Sequence, residues 1–317
     1  MSMLETSNAH PRLGILSQRA LEACPLRVGV VYPCESGALV AALDAAGCGL
    51  IEPVLIGPKT LISRIADAAE RNIADLEVID APDAIQSARQ AVALAGMGAI
   101  AAIMKGSLHT DELLGAVVGR DSPLRTGRRA SHVFWFDCPV YHKPLMLTDA
   151  VINIAPTLAE KADIVRNSVE LAHKLGIDSP KVAILAPVET VNPALPVTID
   201  AAALCKMADR GQIAGARLDG PLGFDNAVSL TAATTKGIVS EVAGEPDILV
   251  VPDLNSGNSL YKSFVYLGGA ACAGVVLGMR TPIILTSRAD SRQARIASCA
   301  LASLAARENG SGPPALP

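Results

Sequence analysis

Residues 26–56 read LRVGVVYPCESGALVAALDAAGCGLIEPVLI, and this stretch decides the fold. Two apolar runs, 26–32 and 51–56, bracket a segment of helical period at 35–46. Continuous Val, Ile and Leu mark strands covered on both faces, and a helix joining two of them implies a parallel crossover. The alternation continues outward. Further strands are expected at 76–80, 98–104, 131–136, 181–186, 247–252, 273–277 and 281–286. Helices are expected near 58–72, 83–96, 111–118, 157–175, 197–210, 225–243, 258–271 and 290–306, with Gly or Pro at most joints. The class is therefore α/β. Only 119–156 breaks the rhythm, with a basic loop, an aromatic strand and then DCPVYHKP, and a crossing between two domains is expected there.

Composition narrows the function. The chain has 317 residues, with 27 Lys+Arg against 31 Asp+Glu and a net charge of −4. That balance argues against a nucleic-acid partner, whose footprint is basic. Charged residues make up 18% and hydrophobic residues 50%, the balance of a folded chain rather than a disordered one. The rings are 4 Phe, 4 Tyr and 1 Trp, so the core is aliphatic and suits thin layers of helix on sheet. Seven cysteines without a CxxC pair form neither a disulfide framework nor a zinc site. Residues 1–12 are polar, and the longest uncharged run, 263–279, falls short of the roughly 18 residues of a membrane span. A cytoplasmic protein without a membrane partner is expected.

No GxGxxG follows a strand, and no P-loop, HExxH or GxSxG is present. The five histidines lack metal-ligand spacing, so no metal is expected. Several clusters carry polar chemistry. In 281–293, TPIILTSRADSRQ, a buried strand runs into Ser287 and Arg288, and Asp290 and Ser291 then open a helix. A hydroxyl, a guanidinium and free helix N–H groups thus meet at the carboxyl edge of a sheet, where open α/β sheets bind ligands and helix starts attract phosphate. The plainer reading is a strand–helix turn capped by Asp290 or Ser291. In 104–112, MKGSLHTDE, Lys105, Ser107, His109 and Thr110 cluster on a turn where Gly106 allows close backbone approach. The plainer reading is a turn with Thr110 capping helix 111–118. In 124–132, LRTGRRASH, Arg125, Arg128 and Arg129 could face phosphates or form a solvated loop. The segments 219–226, DGPLGFDN, and 252–262, PDLNSGNSLYK, gather Asp, Asn and Gly after strands, the second with Asn258 and Lys262. Either could be turn chemistry alone.

The ordered series KGSLHTDELL, RRASHVF, DAVINIAP, DGPLGFDNAVS, PDLNSGNSLYK, GVVLG and TPIILTSRADS resembles the phosphate acetyltransferase/phosphate butyryltransferase family over about residues 26–305. SRADS and DGPLGFDNAVS lean to the butyryltransferase-like branch. They are also similar to the transferase part of enoyl-CoA hydratase/phosphate acetyltransferase fusions, although no hydratase activity is expected of this chain. The resemblance implies a fold like isocitrate and isopropylmalate dehydrogenases, with two α/β domains around a cleft. Residues 1–148 plus 279–317 would form the first domain and 149–278 the second. It also implies a homodimer. The activity implied is acyl-CoA + phosphate ⇌ acyl phosphate + CoA, with coenzyme A and phosphate as substrates and no permanently bound cofactor.

In that frame Ser287 and Arg288 match the family's Ser-Arg pair, and Asp290 joins them as a candidate catalytic carboxylate. Lys105, Gly106, His109, Thr110, Arg125, Arg128, Arg129, Asn258 and Lys262 are the candidates for binding coenzyme A. The chain departs from the acetyltransferase branch at Ala294, where that branch has an Asp proposed as base, and near Gly115, where it has an Arg. Asp290, Asp219 and Asp253 are candidate replacements for the base. Two rival readings stand beside this one: a metal- and NAD-dependent dehydrogenase on the same fold, and a non-catalytic sensor of coenzyme A or phosphate.

Overall fold

The computed structural model describes residues 10–285 and 290–307, so Ser287 and Arg288 lie outside the described residues. The chain forms two compact units. One reaches to Gly127 and resumes at Ala273–Arg307; the other is Arg128–Cys272. The two crossings thus stand at 127–128 and 272–273, against the expected 148–149 and 278–279.

The first unit opens with α1 (Pro11–Leu21), followed by β1 (Leu26–Val31), α2 (Ser36–Gly47), β2 (Ile51–Gly57), α3 (Lys59–Ala68), β3 (Val78–Asp80), α4 (Ala84–Gly96), β4 (Ala102–Lys105) and α5 (Thr110–Val118). The second unit carries β5 (Ser131–Asp137), β6 (Leu145–Thr148), α6 (Leu158–Lys174), β7 (Lys181–Leu185), α7 (Pro196–Asp209), β8 (Arg217–Leu222), α8 (Phe224–Val228), α9 (Leu230–Thr235), β9 (Ile248–Val250) and α10 (Leu254–Tyr266). The chain returns through β10 (Ala271–Leu277), β11 (Ile283–Ile284) and α11 (Arg292–Ala306).

In the first unit the strand order is β3-β2-β1-β4-β11-β10. The first five run parallel, while β10 pairs antiparallel with β11 through Val276 and Ile283. The chain winds outward from β1 to β3 and then places β4 on the other side of β1. The boundary between β1 and β4 is thus the topological switch point, where the loops beyond the two strands diverge. Val28, Val30, Val31, Ile56, Ile103, Ile283 and Ile284 are fully buried in these strands. Helix α11 buries an almost unbroken run from Ile296 to Ala305, rich in alanine, which lets it pack closely.

In the second unit the order is β5-β6-β9-β7-β8. Here the expectation of parallel strands fails once, since β5 and β6 are antiparallel and pair Val133 with Thr148. The aromatic residues concentrate in this unit: every Phe and the single Trp lie within 128–272. Phe134 stacks on Tyr261 with centroids 4.0 Å apart, and Phe136 meets Phe264 edge-on at 5.3 Å. Pairs of this kind add about 0.5–1.5 kcal/mol beyond their buried area.

Two expected helices move. The segment 225–243 is broken at Ser229, whose extended backbone (φ −126°) ends α8 and whose hydroxyl caps α9 at Ala232. Helix α10 starts at Leu254 rather than 258, because Asp253 caps it by accepting from the Ser256 N–H at 2.9 Å. Among the described residues, no helix is long and apolar enough to cross a membrane.

Candidate functional site

Three adjacent parallel strands of the first unit, β1, β4 and β11, each lead into a helix at the carboxyl edge of the sheet: α2, α5 and α11 respectively. Each helix start carries N–H groups without an intrahelical partner and the positive end of its dipole. Three such starts at one sheet edge favour anions.

The turn after β4 is built against β1. Gly106 and Ser107 donate their N–H groups to the carbonyls of Val31 and Tyr32, each at 2.9 Å. The approach excludes any side chain at 106, where a Cβ would stand 2.2 Å from the Val31 oxygen. Tyr32 itself adopts φ 52°, which turns the chain sharply out of β1. Lys105 folds its ammonium over the turn and donates to the Leu108 carbonyl at 3.1 Å. Ser107 Oγ is buried and has no hydrogen-bond partner among the described residues. A buried hydroxyl without a partner costs roughly 1–3 kcal/mol, so its retention at this edge is informative.

The cap of α5 is His109, with Thr110 as the first helical residue, which corrects the expectation that Thr110 is the cap. The His109 N–H donates to Glu112 Oε2 at 2.8 Å while its ring is exposed. At α11 the cap is Ser291, accepting from the Ala294 N–H at 3.1 Å, and Asp290 stands half-buried just before the helix. Lys105, Gly106, His109, Thr110 and Asp290 therefore belong to one sheet edge. Sequence reasoning missed Tyr32 and Cys34 on the loop after β1; their position directly after the first strand was the available signal. Burial pushes the Cys34 thiol up to about 11, so it is protonated and a poor nucleophile at neutral pH.

The arginine loop divides. Arg125, in the first unit, is exposed and makes no ion pair among the described residues, while its backbone bridges Met279. Arg128 and Arg129 belong to the second unit and are engaged there. Arg128 pairs with Glu170 at 2.6 Å; Arg129 pairs with Glu160 at 3.1 Å and donates to Asn153 Oδ1 at 2.7 Å.

Behind Arg129 lies a buried polar network that sequence reasoning quoted only as DAVINIAP. Asp149, 3% exposed, accepts from the N–H groups of Val151, Ile152 and Asn153 and from the Asn153 side chain at 2.5 Å. Burial pushes its carboxyl up, and these donors oppose that shift. The Asn153 amide also donates to the Ala130 carbonyl at 2.9 Å. Beside Asp149, His132 is buried at 1% exposure, and burial drives its imidazole down to about 3.

Asn258 donates to the Ala150 carbonyl at 3.3 Å. One turn later on α10, Lys262 is exposed on the same face. Residues 254–257, expected to precede the helix, belong to it as well. Gly257 is required there because a Cβ would lie 2.8 Å from the Asp149 carbonyl oxygen. Of the candidate carboxylates in this unit, Asp253 accepts from both the Ser256 N–H and its hydroxyl, and Asp219 accepts from the Gly220 N–H at 2.8 Å.

Comparison with known proteins bears on this arrangement. The family model described as Phosphate acetyl/butaryl transferase matches residues 83–303. The chain is 53% identical to the Phosphate acetyltransferase of Rickettsia felis over 280 residues, 88% of this chain and 80% of that protein. It is 41% identical to the Phosphate butyryltransferase of Clostridium acetobutylicum over 280 residues, 88% of this chain and 93% of that protein. Among solved structures, a branched-chain phosphotransacylase from Enterococcus faecalis V583 superposes with a TM-score of 0.77 at 30% identity, covering 89% of this chain and 99% of that one.

Proposed function

Since the chain belongs to the phosphate acetyl/butyryl transferase family, and so moves a short acyl group between coenzyme A and inorganic phosphate, we propose how its own residues carry that transfer. In the acyl-phosphate direction the coenzyme A thiolate attacks the carbonyl carbon. The C–S bond forms, the C–O bond to phosphate breaks, and phosphate leaves with the electron pair. Transfer is direct. The protonated state of Cys34, the thiol nearest in sequence to the β1 edge, supports a mechanism without an acyl-cysteine intermediate.

The observation that carries the reading is the family match over residues 83–303, which spans both the turn after β4 and the start of α11. Negative charge develops on the carbonyl oxygen and on the departing phosphate, and fixed donors aimed at it contribute about 3–4 kcal/mol each. We assign Arg288 to the phosphoryl oxygens and Ser287 to the carbonyl oxygen or the phosphate. The start of α5 and the unpartnered hydroxyl of Ser107 are the supporting donors, a role consistent with its burial at that edge.

Asp290 is the general base. It stands at the carboxyl edge just before α11, whereas Ala294 carries no acid–base group. The demand on the base is moderate. A thiol of pKa about 8.5 is roughly 3% thiolate at pH 7, and a general base contributes about 10²–10⁴ in rate. For the phosphates of coenzyme A, the candidates in the first unit are Arg125, Lys105 and the 106–110 turn, and those in the second are Arg128, Arg129, Asn258 and Lys262. Arg128 and Arg129 would have to share their charge with Glu170 and Glu160.

A homodimer in the cytoplasm completes the reading. Phe224, Leu230, Val239, Tyr266 and Leu267 leave apolar surface exposed in the second unit, as subunit interfaces do. All seven cysteines are free thiols, which fits a reducing compartment. The test is phosphate- or arsenate-dependent release of thiol from acetyl-, propionyl- and butyryl-CoA measured side by side. Turnover of at least one is expected, and binding without thiol release would replace the enzyme with a sensor.

A further inference from the structure

Helix α2, SGALVAALDAAG, contains one charged residue, Asp44, and that residue is 1% exposed. A carboxylate buried among alanines and leucines needs a counter-charge. Arg71 supplies it, donating Nη2 to Asp44 Oδ1 at 2.9 Å. The second oxygen, Oδ2, takes the Nε of Arg292. Two guanidiniums on one carboxylate exceed what neutralisation requires, so the second has another task.

Arg292 is the first residue of α11, directly after the cap Ser291. One turn on, Arg295 donates Nη1 to the Gly37 carbonyl at 2.6 Å, at the start of α2. Positions 292 and 295 share a helix face. Helix α2 therefore grips the first turn of α11 at two points. Arg71 comes from the loop after α3 and, among the described residues, makes no hydrogen bond or ion pair with α11.

We propose that Asp44 is a positioning residue for the acyl transfer: through Arg292 it fixes the start of α11, and with it the N–H groups presented at the carboxyl edge of β1, β4 and β11. The inference rests on the reading that this edge binds the migrating anion.

The two arginines provide a matched experiment, since each substitution removes one guanidinium from the same carboxylate. Arg292→Ala is expected to lower kcat roughly ten- to a hundredfold, as small misplacements of catalytic groups do, with KM for acyl-CoA little changed. Arg71→Ala is expected to leave kcat near wild type. Arg292→Lys should recover part of the loss, and Asp44→Asn should reproduce Arg292→Ala. If Asp44→Asn does not fold, the arginine pair still decides. Equal losses of thermal stability in the two arginine variants, with wild-type kcat in both, would show a purely structural clamp and overturn the proposal. Arg288→Ala is measured alongside. If it stays fully active, the reading of the edge fails; if it is inactive while Arg292→Ala keeps its kcat, the positioning role of Asp44 fails on its own.

Discussion

Arg129 donates its Nε to Asn153 Oδ1 at 2.7 Å, and the same Asn153, 2% exposed, donates its amide to both Ala130 and Asp149. One side chain thus fixes a surface guanidinium, a backbone carbonyl and a buried carboxylate. Asn153→Ala leaves the buried partners short of donors and should cost about 1–3 kcal/mol. Urea unfolding measures it. A midpoint unchanged from wild type would mean that the network adds nothing to stability.

The hydroxyl of Ser107 predicts opposite signs for stability and activity. Removing an unsatisfied buried hydroxyl should hold or raise the unfolding midpoint, by an amount equivalent to about 1–2 kcal/mol. If the hydroxyl is kept for substrate, Ser107→Ala should also lower kcat/KM. Calorimetry beside steady-state kinetics tests both halves, and loss of stability with full activity would refute the donor role.

If Arg288 meets the phosphoryl oxygens as proposed, Arg288→Ala should lower kcat/KM by about 10²–10³. If Asp290 draws the thiol proton as proposed, Asp290→Ala should steepen the alkaline rise of the rate, because turnover then depends on the thiolate that free coenzyme A forms as pH approaches about 8.5. A wild-type pH profile in that variant would assign the base elsewhere.

His132 makes stability depend on acid. Burial depresses its folded-state pKa from 6.5 to about 3, so between those values the unfolded chain binds a proton that the folded chain refuses. Stability is therefore intact above pH 6.5 and falls as pH drops toward 3, by up to about 1.4 kcal/mol per pH unit. Asp149 works in the opposite direction, since burial raises its carboxyl. The informative quantity is the difference between wild type and His132→Phe. The variant should lose less stability on acidification over this range, and parallel curves would show that the ring is not the sensor.

Much of this architecture was legible in the residues. Each apolar run read as a strand contains one, because a short Val/Ile/Leu run suits burial on both faces of a sheet. What stayed hidden has local causes. Strand β8, RLDGPL, carries Gly220-Pro221 and reads as a turn. Strand β6 is four residues long, and the antiparallel pairing with β5 that sustains it lies outside any local signal. Helix α1 begins at Pro11 after a polar lead and has almost no net hydropathy. Within the site, the turn at 105–110 and the helix start at 290–292 announce themselves by residue type. The engagement of Arg128 and Arg129 by acidic partners on α6 does not, because Glu160 and Glu170 are ordinary surface residues until the fold brings them near.

The strand order of the first unit also sets a timetable for synthesis. Its sheet seats β11 between β4 and β10, and α11 contributes a long buried face. Those pieces are synthesised after the other described elements. The uninterrupted segment Arg128–Cys272 has all of its strands in hand earlier, so the nascent chain completes its middle before its beginning. Until then the early strands wait with the β11 side of β4 uncovered.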